Sequence, residues 1–176
     1  MYYGEIKTND IANGEGVRTS LFVSGCTRHC KNCFNKQTWD FNFGNPFTTE
    51  TEDYIFNETS PDWVQGITVL GGEPMELQNQ KALLPFLKRF KEKFPNKDIW
   101  VYTGFLLDED LTLGGQRYCD ATDELLSLID VLVDGRFVEE LHDITLQFRG
   151  SSNQRVIDLK KTLAKGEIVI WEKLRR

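Results

Sequence analysis

Three cysteines stand close together in the run Cys26-Thr27-Arg28-His29-Cys30-Lys31-Asn32-Cys33. Thiolates are soft ligands, and three on one short loop can fold around a single metal centre. A structural zinc site asks for four protein ligands, usually from two separated pairs. Here the fourth would have to be His29, crowded against Cys30, or a distant carboxylate. A four-iron cluster normally takes four cysteines, so three leave one iron with an open position where a substrate or cofactor can bind. Three buried, inert cysteines are another reading of the same residues. Cys119 stands alone, so the chain has no disulfide framework.

A second run, Gly71-Gly72-Glu73-Pro74, offers a turn whose glycines let backbone approach a ligand closely. By itself a Gly-Gly turn before proline is a common loop. Tyr102-Thr103-Gly104 and Asp134-Gly135-Arg136 lie at similar places, where turn formation and ligand contact are both expected roles.

These residues need elements to hold them. Short apolar runs predict strands over 19–24, 66–70, 98–103 and 129–133, each ending at a glycine-containing turn. Weaker runs fall at 154–157 and 167–171. Thr49 and Glu52 fit a capping box that opens a helix toward Ile55 and Phe56. Leu83, Leu87, Phe90 and Phe94 recur at helical spacing, with Pro85 predicting a kink or a late start. A shorter helix is expected from about Thr122. Strands alternating with helices imply parallel β-α-β units, which place ligands at the carboxyl ends of their strands. A closed eight-fold barrel takes about 250 residues. The chain has 176, so an α/β fold in the form of an incomplete, open parallel barrel is expected, as one domain over 1–176.

Composition narrows the partners. The net charge of −6 argues against nucleic acid, whose phosphates call for a basic surface. The basic run Lys88-Arg89-Phe90-Lys91 shares its segment with apolar positions and reads as a solvated helix face. No apolar run is long enough to span a bilayer, and the first residues do not read as a secretion signal. A cytoplasmic, reducing location is the expectation, with cysteines as thiols or ligands.

The spacing C-x3-C-x2-C after one strand and Gly71-Gly72-Glu73-Pro74 after the next resemble the radical S-adenosylmethionine (radical SAM) superfamily. That resemblance implies a 4Fe–4S cluster on Cys26, Cys30 and Cys33, with SAM chelating the open iron through its amino and carboxylate groups. It implies reductive cleavage of SAM to methionine and a 5′-deoxyadenosyl radical. It also implies SAM contacts from the backbone of Gly71, Gly72, Glu73 and Pro74 and from Asn32, Cys33 and Phe34. Tyr102, Thr103 and Asp134 complete the expected contact set. The superfamily often has an aromatic residue just before the third cysteine; here that position is Asn32, and Phe34 follows.

Further segments narrow the resemblance. They are Asp10 to Arg18, Phe34-Asn35, Thr38-Trp39, Lys97 to Gly104, Val131 to Phe137 and Arg149 to Gln154. In that order they are similar to the activating proteins of anaerobic (class III) ribonucleoside-triphosphate reductases, over most of the chain. The family commonly has Pro where Glu15 stands and Pro-Gly where Lys31-Asn32 stand, and the segment 108–119 is longer here. The implied reaction is hydrogen-atom abstraction from a glycine of the large reductase, leaving a glycyl radical. The implied partners are that reductase and a low-potential electron donor such as flavodoxin or ferredoxin. Other readings are an activator of another glycyl radical enzyme such as pyruvate formate-lyase, a small-molecule radical enzyme of deazapurine synthesis and, from a different class, a zinc-stabilised binding module.

Overall fold

Four apolar runs form the middle of a sheet, because residues buried on both faces leave few places for charge. They are β2 (Val17–Val23), β4 (Val64–Gly71), β5 (Asp98–Tyr102) and β6 (Val131–Asp134), given by their place in the computed structural model, which describes residues 1–174. Each lies parallel to its neighbour in that order.

Three further strands complete the sheet: β1 (Tyr2–Asp10), β3 (Asn45–Pro46) and β7 (Arg155–Asp158). The order is β3-β1-β2-β4-β5-β6-β7. β1 runs antiparallel to β2 and to β3, and β7 runs antiparallel to β6. The expected incomplete parallel barrel is therefore corrected, among the described residues, to a mixed seven-stranded sheet with four helices. The connections explain the difference. A parallel neighbour needs a crossover of about a dozen residues or more, usually helical. The loop 11–16 between β1 and β2 is too short for one. The segment between β6 and β7 carries only a 3-10 turn, Glu139–Leu141.

The helices are α1 (Thr49–Thr59), α2 (Leu77–Lys93), α3 (Thr122–Leu128) and α4 (Leu159–Lys165). The capping box of α1 lies one residue earlier than expected. Thr51 N donates to Thr48 Oγ1 at 3.3 Å and Thr48 N to Thr51 Oγ1 at 3.2 Å. Glu52 instead pairs with Arg89 of α2 at 2.5 Å. α2 runs through Pro85 rather than starting after it. Pro85 and Lys81, whose carbonyl loses its helical donor, are both exposed, so water can serve that carbonyl. The run 167–171 is not a strand; it makes one bridge, Ile170 to Ile157.

Strand alternation sorts the core. Leu21, Val69, Val101 and Leu132 face the helices and pack with Ile55, Phe86, Phe90 and Leu126. On the other face Trp100, Val131, Val133 and Val156 gather under Phe148 and Trp171, whose rings meet Trp100 edge-on at 5.2 and 5.1 Å. Arg18 is fully buried beside Trp100 and pairs with Asp98 at 2.6 Å. The Asp10-to-Arg18 segment thus closes one end of this face. A Cβ on Gly14 (φ +130) would stand 2.8 Å from Arg18 and 3.1 Å from Trp100. Among the described residues no helix is long and apolar enough to cross a membrane.

Candidate iron–sulfur site

β2 delivers the cysteine loop. Cys26, buried, follows the strand through Ser24 and Gly25; Cys30 and Cys33 are half-buried. The loop is closed at its base, where Gly25 N donates to Thr38 O at 2.7 Å and Cys26 N to Trp39 O at 3.2 Å. His29 (φ 45) and Asn32 (φ 56) are left-handed, and each turns the chain immediately before a cysteine. The Cys33 N–H donates to Cys30 O at 3.1 Å. His29, the fourth ligand a zinc site would need, stacks on Trp39 at 4.2 Å.

Burial pushes the Cys26 thiol up to about 11, and the Glu73 and Glu76 carboxylates add to the push. A bound metal reverses that balance, because coordination deprotonates a thiol outright. Among the described residues no three His, Cys, Asp or Glu side chains converge on a position for a single metal ion. A four-iron cube asks for less convergence, since each thiolate ligates a different iron. An all-sulfur donor set on one strapped loop fits that group.

The glycine turn is bonded to this loop. Gly72 N donates to Val23 O at 2.7 Å and Glu73 N to Gly25 O at 2.8 Å. Gly71 is left-handed (φ +107), and a Cβ there would lie 2.7 Å from the Phe22 backbone. A Cβ on Gly72 would lie 2.7 Å from Gly25 O and 2.8 Å from Thr38 O. Both glycines are thus already required by contact with the cysteine strand and loop. Pro74 is buried behind them.

Glu73 points inward. Its Oε1 accepts from Thr103 Oγ1 at 2.6 Å and Met75 N at 2.9 Å, and its Oε2 from Gly104 N at 2.7 Å. It ties the end of β4 to the end of β5. Burial pushes this carboxyl up to about 7 against the pull of those three donors. Asp134 is also fully buried. Arg155 donates to it twice, at 2.8 and 2.6 Å, and Leu107 N once, at 2.8 Å. Tyr102 lies on the opposite face, against the Trp100 cluster, and burial raises its phenol. Asn32 is exposed and donates to Glu139 Oε1 at 2.6 Å; Phe34, 90% exposed, projects into solvent. Of the residues singled out in the sequence, the cysteine loop, the glycine turn and Thr103 come together. Asp134 and Tyr102 are engaged elsewhere.

Four other residues shape the site. Glu76 Oε1 accepts from Thr27 N at 2.8 Å and Thr27 Oγ1 at 2.6 Å. Arg117 pairs with Glu76 at 3.3 Å and donates to Thr27 Oγ1 at 2.8 Å. Phe105, buried, lies 4.7 Å from the guanidinium carbons of both Arg28 and Arg117. Arg28 and Glu76 are visible in sequence as neighbours of the two motifs. Phe105 and Arg117 carry no signal there. A cavity of about 590 Å³ lined by Trp63, Lys93, Phe94 and Lys97 lies at the amino end of β4, the far end of the strand from this site.

A loop of three thiols strapped to a glycine turn offers the donor set that a protein with a single iron–sulfur cluster would use. In agreement, residues 12–157 match the family described as a 4Fe–4S single cluster domain. The chain is 44% identical over 162 residues to the anaerobic ribonucleoside-triphosphate reductase-activating protein of Escherichia coli, covering 91% of this chain and 100% of that protein. It is 44% identical over 156 residues to the protein of that name from Haemophilus influenzae, covering 88% and 96%. With the one from Vibrio cholerae the identity is 40% over 156 residues, covering 88% and 96%. The chain belongs to the family of anaerobic ribonucleoside-triphosphate reductase-activating proteins.

Proposed function

We propose that this chain activates an anaerobic ribonucleoside-triphosphate reductase as a radical SAM enzyme, generating a glycyl radical on the large reductase subunit. Cys26, Cys30 and Cys33 hold the 4Fe–4S cluster. A low-potential donor such as flavodoxin or ferredoxin would supply the electron that the cluster needs. When bound, the cluster and SAM together supply the 5′-deoxyadenosyl radical that takes the hydrogen atom from the partner's glycine.

One observation carries the reading: the cysteine loop and the Gly71-Gly72-Glu73-Pro74 turn are hydrogen-bonded to each other through Gly25 O and Glu73 N at 2.8 Å. A cofactor that must touch both a cluster and a glycine-rich turn requires that adjacency. Each residue has a definite task. Gly71 and Gly72 bring the turn against the loop and leave its outer backbone edge for the methionyl group of SAM. Glu73 and Thr103 fix that edge from behind, and Asp134 with Arg155 secures the neighbouring strand end. Asn32 and Phe34, on the exposed side, face an incoming cofactor or partner. The partner's own loop covers the open mouth and excludes water before the radical forms.

The test is anaerobic incubation of the iron-loaded chain with reductant, SAM and the large reductase, with paramagnetic resonance as readout. A glycyl radical on the reductase is expected. A radical on pyruvate formate-lyase and none on the reductase would overturn the assignment of partner, and turnover of a small molecule with neither protein activated would overturn the whole reading.

A further inference from the structure

Arg28 lies inside the cysteine loop and has no counter-charge. Its guanidinium carbon stands 4.7 Å from the Phe105 centroid, and its Nε is closed off from solvent without an acceptor. Among the described residues no carboxylate pairs with it. Arg117 makes the contrast. It lies at the same 4.7 Å from the same ring and its Nε likewise makes no hydrogen bond, but it has a counter-charge in Glu76 at 3.3 Å and its Nη2 donates to Thr27 Oγ1 at 2.8 Å. Glu73 is close to Arg28 and is not its partner. A Cβ on Gly104 would lie 3.4 Å from both Arg28 Nε and Glu73 Oε2, yet the donors to that carboxylate are Thr103, Met75 and Gly104, and Arg28 makes no bond to it.

A buried donor left unmade is unfavourable, and native structures rarely keep one without a use. A guanidinium presents a planar fork that matches a carboxylate. The neighbouring aromatic ring keeps water away from one side and strengthens such a bond.

We propose that Arg28 binds a carboxylate, that of the amino-acid end of SAM. The inference rests on the function proposed above and adds a positioning residue to it. A fixed cation attracts the carboxylate of SAM and repels both its ammonium and its sulfonium. Arg28 therefore decides which way round the amino-acid end enters, beside Cys26 and Cys30, which flank it in the loop.

The test compares wild type, Arg28→Lys and Arg28→Gln, each reconstituted anaerobically and matched for iron content and circular dichroism. Equilibrium dialysis measures the Kd for SAM and for decarboxylated SAM. Arg28→Gln should weaken SAM binding by about 10- to 100-fold, the range for one charge-assisted hydrogen bond. Arg28→Lys should recover part of the loss. Decarboxylated SAM, which keeps only the two cations, should bind wild type weakly and Arg28→Gln no less tightly than wild type. Equal losses for both ligands overturn the inference, because the carboxylate is then not what Arg28 reads. So does an unchanged SAM Kd with a weakened complex with the reductase, which would assign the carboxylate to the partner polypeptide. A wild-type chain that does not bind SAM overturns the proposed function and this inference together; wild-type binding with no change in Arg28→Gln overturns this inference alone.

Discussion

The α-carbon of Gly72 faces the carbonyl oxygen of Gly25 so closely that an added Cβ would stand 2.7 Å from it. Two motifs far apart in sequence are thus pressed together with no room for a methyl group. The obstacle is backbone on the cysteine side, which cannot swing aside as a side chain would.

Gly72→Ala should therefore disturb the loop as well as any cofactor beside it. Iron per chain after anaerobic reconstitution is expected to fall together with SAM affinity. Normal iron with weakened SAM binding would mean that the loop yields and the ligand alone feels the change.

Cys26→Ala, Cys30→Ala and Cys33→Ala should each abolish the brown cluster absorbance and SAM cleavage, since three ligands leave no spare. Cys119→Ala should keep both. Its thiol sits 3.6 Å from Gln80 Oε1, in the segment after β5 and outside the cysteine loop. Equal loss in all four variants would show the ligand assignment to be wrong.

Glu73 makes stability depend on pH. Its carboxyl is pushed from 4.5 up to about 7 in the folded chain. Between those values the folded chain holds a proton that the unfolded chain has released, so its contribution is full below pH 4.5 and is lost as pH rises through 7. Urea unfolding of the iron-free protein should show stability falling across that window in wild type. Glu73→Gln, which stays neutral, should flatten the slope. An unchanged slope would place the pH dependence in other groups.

Arg155→Gln leaves the buried Asp134 carboxylate with Leu107 N as its remaining donor. Asp134 is buried while Arg155 is 26% exposed, so removing this partner should cost about 1–3 kcal/mol. Urea unfolding should show a loss of that size, and SAM affinity should change far less than stability does. The opposite pattern would make Asp134 part of the cofactor site.

Much of this arrangement is legible in the sequence for simple reasons. β2, β4, β5 and β6 are short apolar runs that stop at glycine, and they form the parallel centre. β1 escapes because Tyr2–Asp10 is mostly half-exposed and polar, with Ile6 as its single aliphatic residue. Its antiparallel pairing, which removes the parallel barrel, follows from a short loop that apolar periodicity does not report. The supports of the site are equally hidden. Thr103 on Glu73, Arg155 on Asp134 and Phe105 under Arg28 are contacts across the fold between residues that look ordinary in their local runs.

The braces of the cysteine loop have a consequence in time. Thr27 is held by Glu76 and Arg117, and Asn32 by Glu139, partners 49, 90 and 107 residues further along the chain. During synthesis the three thiols are made before any of those partners. The loop is among the first parts of the site to be made and among the last to take its shape, so metal delivered during translation meets an unbraced strap, and secure cluster insertion belongs to the finished chain.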